Sequence, residues 1–190
     1  MPTNGDIFQE KLALYSAPTL ANLKTASLFR ITKKDFPNCH ECLQYFNQKF
    51  RQYGLQICIL KEYQTSFLIY VYQNDKLYHT LTHFPIQSFL KQYQYPCDSA
   101  LKAIEHLKMR LLDDDFPHEI GIFLGYPLCD VKGFIYNNGK NYKFSGPWKV
   151  YDNESETILY FDKFKQCTNL YCSLFESGVP LNKLISLSMN

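Results

Sequence analysis

Residues 55–60 and 66–72 are two short runs of β-branched and aromatic side chains, joined through Glu62–Thr65. Parallel pairing needs a crossover of a dozen or more residues, so two runs this close can pair directly only as an antiparallel hairpin. The rest of the chain must therefore be arranged around a hairpin. The segment in front of it, Asn38–Tyr53, predicts a helix: Leu43, Phe46, Phe50 and Tyr53 recur at helical spacing. Asn38 and Glu41 have capping-box spacing, and Gly54 supplies a stop.

The remaining elements are mostly helical. Asp6–Tyr15 reads as a short opening helix, with Ile7, Leu12 and Leu14 available to a core and Pro18 able to open a further turn. Ser27–Ile31 reads as a strand. Asp75–Tyr93 is helical with an interruption at Pro85, and Asp98–Leu112 carries a stripe of Ala100, Ile104, Leu107 and Leu111. The acidic run Asp113–Asp115 reads as a solvated turn. Residues 116–139 predict two short helices, with a buried strand at Ile120–Leu124 as the rival reading. Tyr142–Tyr151 predicts a strand in which Gly146 and Pro147 mark a bulge or an edge. A closing helix spans Glu154–Ser177, again with capping-box spacing at Asn153 and Glu156, and its buried face is marked by Phe161, Phe164, Tyr171 and Phe175. With no repeat, linker or low-complexity segment, the expectation is one α+β domain over residues 1–190. It is a small, mainly antiparallel sheet packed by several helices.

Composition narrows the function classes. The formal charge of +2 is dispersed and no run of like charges exceeds a few residues, so nothing linear supplies a nucleic-acid footprint. No apolar run approaches the roughly 20 residues of a bilayer span, and Met1–Glu10 lacks the basic-then-apolar order of an export signal. The expected location is the cytoplasm, where thiols stay reduced. Seven cysteines, an odd number at irregular spacing, fit that expectation. Fifteen tyrosines suit a shell of rings that are buried while their hydroxyls stay wet, or a contact surface.

Few motifs carry chemistry. Cys39-His40-Glu41-Cys42 places two thiols at a helix start, where amide dipoles can lower a thiol pKa, or where half a zinc site can form. No second pair completes such a site, and no metal ligand set is assigned. Cys167 and Cys172, five apart, diverge on a helix. His118 and Glu119 are adjacent in Phe116-Pro117-His118-Glu119-Ile120-Gly121, and each could act as acid or base with a distant partner. Gly121 and Gly125 lack the Gly-Lys-Ser/Thr ending of a phosphate loop, and close backbone packing is the better account of them.

Three stretches resemble domain-of-unknown-function family 3793, small proteins of anaerobic gut-type bacteria. The first is Ala17-Pro18-Thr19-Leu20-Ala21-Asn22-Leu23-Lys24-Thr25-Ala26-Ser27-Leu28-Phe29. The second runs from Phe116 to Pro127 and continues through Asp130-Val131 and Gly133-Phe134-Ile135. The third is Gly146-Pro147-Trp148-Lys149-Val150-Tyr151. The resemblance implies no assigned activity. It implies an association with flavodoxin or iron-uptake genes, hence redox or iron physiology, and a flavodoxin-like redox protein as partner. It also implies Cys at the position of Ser16, and Gly at that of Asn22, in many relatives.

Polar residues inside the matched stretches are Lys24, His118, Glu119, Asp130 and Lys149. They form a shared site if they converge. Otherwise Lys24 and Lys149 pair structurally with Glu119 and Asp130. Two expectations follow. One is a cytosolic binding or accessory protein of redox or iron metabolism, with Lys24, Tyr126, Trp148 and Lys149 as binding residues. The other is a cofactor-independent enzyme with His118 as acid or base and Glu119 or Asp130 orienting it. No cofactor is designated by the sequence.

Overall fold

In the computed structural model of the chain, which describes residues 4–113 and 115–188, the expected hairpin is part of a three-stranded antiparallel sheet, with its second strand in the middle. Strand β2 (Leu55–Glu62) pairs with β3 (Ser66–Gln73), and β3 pairs on its other side with β1 (Ala26–Thr32). Helices pack on this sheet, so the fold class is α+β as expected. The chain divides into two compact units: residues up to Asp75 with those from Gln166 onward, and Lys76–Lys165. Among the described residues no helix is long and apolar enough to cross a membrane.

The first unit holds the sheet, α1 (Asn4–Leu20), α2 (Cys39–Phe50), part of a long helix α8 (Glu154–Glu176) and α9 (Leu181–Ser188). Alternation along β3 sends Phe67, Ile69 and Val71 into the core. There they join Phe8, Leu12 and Leu20 of α1 and Leu43, Phe46 and Phe50 of α2. Phe8 stacks on Phe36 at 4.5 Å and tilts against Phe46 at 5.3 Å. The other face of β3 carries Leu68, Tyr70 and Tyr72, which are also buried, so β3 is apolar on both sides.

An edge strand normally leaves backbone groups open to pairing with another chain. At β2 the amide of Asn47 on α2 closes that opening. Its Nδ2 donates to the Ile57 carbonyl at 2.8 Å, and its Oδ1 accepts from the Ile57 N–H at 2.7 Å. The register also shifts between Ile59 and Lys61, and such irregularities blunt an edge further.

Several local expectations change. Helix α1 runs through Pro18 instead of restarting there, and Leu14 is exposed. Pro18 falls in the last turn, where its carbonyl accepts from Leu23 and Lys24 N–H at 2.8 and 3.0 Å. The Asn38 side chain makes no cap bond, so the expected capping box is absent. Residues 51–53 tighten into a 3₁₀ turn closed by Gly54 at φ +69°. Helix α9 was not expected; its Leu181, Leu184 and Ile185 are buried in the same core.

The second unit contains α3 (Asn74–Thr82) from Lys76 on, then α4 (Phe84–Leu90) and α5 (Ala100–Arg110). It continues with α6 (Ile120–Phe123), α7 (Leu128–Tyr136) and the first half of α8. Pro85 lies in the first turn of α4, so the break falls at His83. Ser99 caps α5 by accepting from Lys102 N–H at 3.4 Å. Of the acidic run after α5, Asp114 lies outside the described residues. The two short helices expected over 116–139 are α6 and α7, and the rival strand is absent.

The single strand expected over 142–151 is instead a tight hairpin, β4 (Phe144–Ser145) with β5 (Lys149–Val150). Gly146 and Pro147 make its turn, not a bulge, with Gly146 N–H donating to the Trp148 carbonyl at 3.1 Å. A Cβ at Gly146 would collide with the Phe161 ring, so only glycine lets the turn lie on α8.

Candidate functional site

The stretch from Phe116 to Tyr151 is organised around two buried carboxylates, each only 2% exposed, and each is fixed by its own donors. Glu119 sits at the start of α6. Its Oε1 accepts from the Tyr95 hydroxyl at 3.1 Å and from Arg110 Nε at 3.0 Å. Arg110, in the last turn of α5, also pairs with Asp113 at 3.2 Å. The hydrogen bond to Glu119 holds the Arg110 guanidinium above its ordinary pKa.

Burial, together with the Glu119 charge, pushes the Tyr95 phenol far up, so Tyr95 acts as a donor and not as a phenolate. His106 packs edge-on against Tyr95 at 4.5 Å and places Nε2 2.9 Å from the Tyr93 carbonyl. A carbonyl only accepts, so that nitrogen carries the hydrogen.

Asp130 lies in the first turn of α7. Its Oδ2 accepts from Trp148 Nε1 at 2.8 Å, and its Oδ1 accepts from the Tyr151 and Asp152 N–H groups at 2.7 and 3.1 Å. One carboxylate thus holds both the indole and the exit of the β4–β5 hairpin. The Trp148 ring stacks on Tyr126 at 4.5 Å and meets Phe161 edge-on at 4.5 Å. Gly121 and Gly133 allow this packing: a Cβ at Gly121 would lie 2.7 Å from Val131, and one at Gly133 would strike the Tyr151 ring.

His118 is placed differently. It is exposed, with Phe116 at 5.9 Å and Phe134 at 4.8 Å between ring centroids. His118 and Glu119 lie in the turn that leads into α6, and they divide completely: His118 faces solvent while Glu119 is buried. Among the described residues no hydrogen bond or ion pair joins His118 to Glu119 or Asp130. Lys149 sets its ammonium 3.5 Å from the centre of the Tyr142 ring, and does not pair with Asp130 as expected. Lys24, in the first unit, joins α1 to β1, and burial pushes its ammonium down to about 8.

The structure therefore brings Tyr126, Trp148 and Asp130 together. Lys149 stands next to them on β5, while Glu119 lies in a separate network. Tyr95, His106 and Arg110 were not singled out by sequence. They lie outside the matched stretches, and their link to Glu119 exists only through the fold.

The thiol motif is quiet. Burial pushes Cys39 up to about 12 and raises Cys42 as well, opposite to what a reactive thiolate requires. Among the described residues no three His, Cys, Asp or Glu side chains are grouped to hold a metal ion.

No curated protein and no solved structure matches the chain. A family model matches residues 12–185, which include all three stretches of the motif, and the chain belongs to the family described as protein of unknown function (DUF3793).

Proposed function

We propose that this protein is a binding or accessory protein, and that the Phe116–His118–Phe134 patch is its contact surface. One observation carries the reading. The histidine of the family motif is exposed among rings, while both motif carboxylates are buried and occupied by structural donors. Acid–base catalysis by His118 with Glu119 or Asp130 is the competing reading. It requires a carboxylate within hydrogen-bond reach, and that would cost the bonds to Arg110 or to Trp148. An exposed imidazole flanked by rings suits docking, because aromatic side chains give large contact area for little ordering cost. A flavodoxin-like partner, in redox or iron metabolism, is what the resemblance to the family implies.

The test is a calorimetric titration of a flavodoxin-like protein into this chain. Phe116→Ala and His118→Ala should each weaken binding about tenfold, as central interface side chains do, with the exposed Lys102→Ala unchanged. Equal affinity in all three variants, or no binding by the native protein, overturns the reading. Turnover of a small molecule that His118→Ala abolishes and Phe116→Ala leaves intact would favour the enzyme instead.

A further inference from the structure

We propose that the first unit carries a separate site for a phosphate monoester, in the groove where β1 ends beside the start of β3. The groove has a volume of about 520 Å³ and is lined by Arg30, Thr32, Lys34, Asp35, Thr65 and Ser66. That volume lies in the range of small-ligand sites, about 300–1,000 Å³.

Two cations line the groove, and among the described residues neither forms an ion pair. Arg30 is exposed, and its guanidinium is held 4.2 Å from the centre of the Tyr63 ring. Stacking on a ring preorganises the planar fork and leaves its N–H edge free to bind oxygen. Lys34 is exposed in the turn after β1.

The nearby carboxylate Glu62 does not cancel them. Glu62 is engaged by Lys33 at 2.6 Å, and Lys61 adds a further cation, its ammonium 5.4 Å from the centre of the same Tyr63 ring. Counting Arg30, Lys33, Lys34 and Lys61 against Asp35 and Glu62, the tip of the sheet carries +2 (4 − 2), as much as the whole chain. Within the groove, Thr65 and Ser66 add hydroxyl donors at the start of β3.

Asp35 defines what the ligand must be. Its Oδ2 accepts from Thr32 Oγ1 at 2.7 Å, and Thr32 Oγ1 in turn accepts from Asp35 N–H at 3.1 Å, which closes the turn. A carboxylate on the rim disfavours a ligand that is anionic throughout. It favours one whose charge is confined to a single phosphate, for Arg30 and Lys34, with a neutral hydroxyl-bearing remainder that Asp35 can accept from. A sugar phosphate or nucleoside monophosphate has that polarity. The site lies on other residues than the proposed docking patch, so either can fail alone.

The experiment is a low-salt titration of the full-length protein with inorganic phosphate, with a nucleoside monophosphate, and with vesicles containing phosphatidic acid, followed by amide chemical shifts. The expected result is binding of the monoester with shifts at Thr65 and Ser66. Arg30→Ala and Lys34→Ala should each weaken it roughly tenfold or more, the worth of a charge-assisted hydrogen bond. Asp35→Asn should tighten inorganic phosphate and not the nucleotide.

Vesicle binding that is lost with Arg30 would assign the same chemistry to a lipid headgroup. Affinity unchanged by Arg30→Ala, or no saturable binding of any of the three, overturns the proposal. Arg30 and Lys34 are exposed, so loss of binding cannot be ascribed to loss of fold, and an unchanged thermal transition checks this.

Discussion

At Asp130 two carboxylate oxygens receive three donors, from Trp148, Tyr151 and Asp152. Asparagine can satisfy the backbone donors with its oxygen only by turning its NH₂ group toward the indole N–H, donor against donor. Asp130→Asn should therefore cost about 2 kcal/mol, the desolvation penalty of a buried unpaired donor. Trp148 is the only tryptophan, so its fluorescence reports the loss directly in a urea titration. An Asp130→Asn protein as stable as the native one would show that the carboxylate is not a structural anchor.

Lys24 offers a pH test. Its folded pKa, about 8, lies below the unfolded value of 10.5, so between those values the unfolded chain binds more protons. Its contribution to stability rises as pH goes from 8 to 10.5 and is constant below that window. Buried tyrosines act in the opposite direction at high pH, so the comparison must be with Lys24→Met, which cancels them. The stability difference between the two proteins should shift in favour of the native chain across that window. A constant difference would mean that the ammonium is not desolvated.

At this scale the sequence was legible where chemistry is local. Asn22 occupies φ +56°, a left-handed position that asparagine and glycine adopt more readily than other residues. The Ser16 hydroxyl is buried with no partner among the described residues, a position where a thiol would be at ease. What could not be read was which neighbour each carboxylate chooses, since Glu119 finds Arg110 nine positions away and Asp130 finds Trp148 eighteen away.

Elements built by strong periodicity came through the sequence intact: β2, β3, α2, α5 and most of α8. Those decided by tertiary contact did not. The hairpin β4–β5 is two residues per strand, too short for an alternating pattern, and it exists because Asp130 holds its exit and Phe161 supports its turn. Helix α9 lies beyond Ser177, where the expected closing helix stopped; what makes it a helix is the core that receives Leu184 and Ile185.

The guard on β2 is a second tertiary device, and it makes a prediction at this scale. Asn47→Ala leaves the Ile57 N–H and carbonyl without their side-chain partners and opens the strand edge. It should lose about 1–3 kcal/mol and gain a concentration-dependent tendency to self-associate. Chemical denaturation read beside light scattering separates the two effects. A variant that is monomeric and unchanged in stability would show that α2 does not protect the edge. Gln48→Ala, on the same helix, is the control for α2 itself.

For the molecule as a whole, the distribution of thiols tests the binding-protein reading against a redox one. All seven cysteines are free: Cys39 and Cys97 are buried, Cys129 is exposed, and the rest are half-buried. Burial raises the pKa of Cys39, Cys42, Cys97, Cys129, Cys167 and Cys172, with neighbouring carboxylates adding to it at all of them but Cys167. None of these six is arranged as a thiolate, which is the form that attacks or binds metal. Access then decides the order of reaction. In the folded protein at neutral pH, an alkylating reagent should modify Cys129 first and slowly, with Cys39 last. The unfolded chain should take up seven equivalents at once. Mass spectrometry of peptides sampled over the time course reads the order. If Cys39 or Cys42 reacts ahead of Cys129, the start of α2 activates a thiol after all, and the redox reading of Cys39-His40-Glu41-Cys42 regains its place. If Cys129 leads and its replacement by Ser leaves partner binding intact, thiol chemistry is removed from the function, and His118 with the exposed Phe116 ring remains the surface to test.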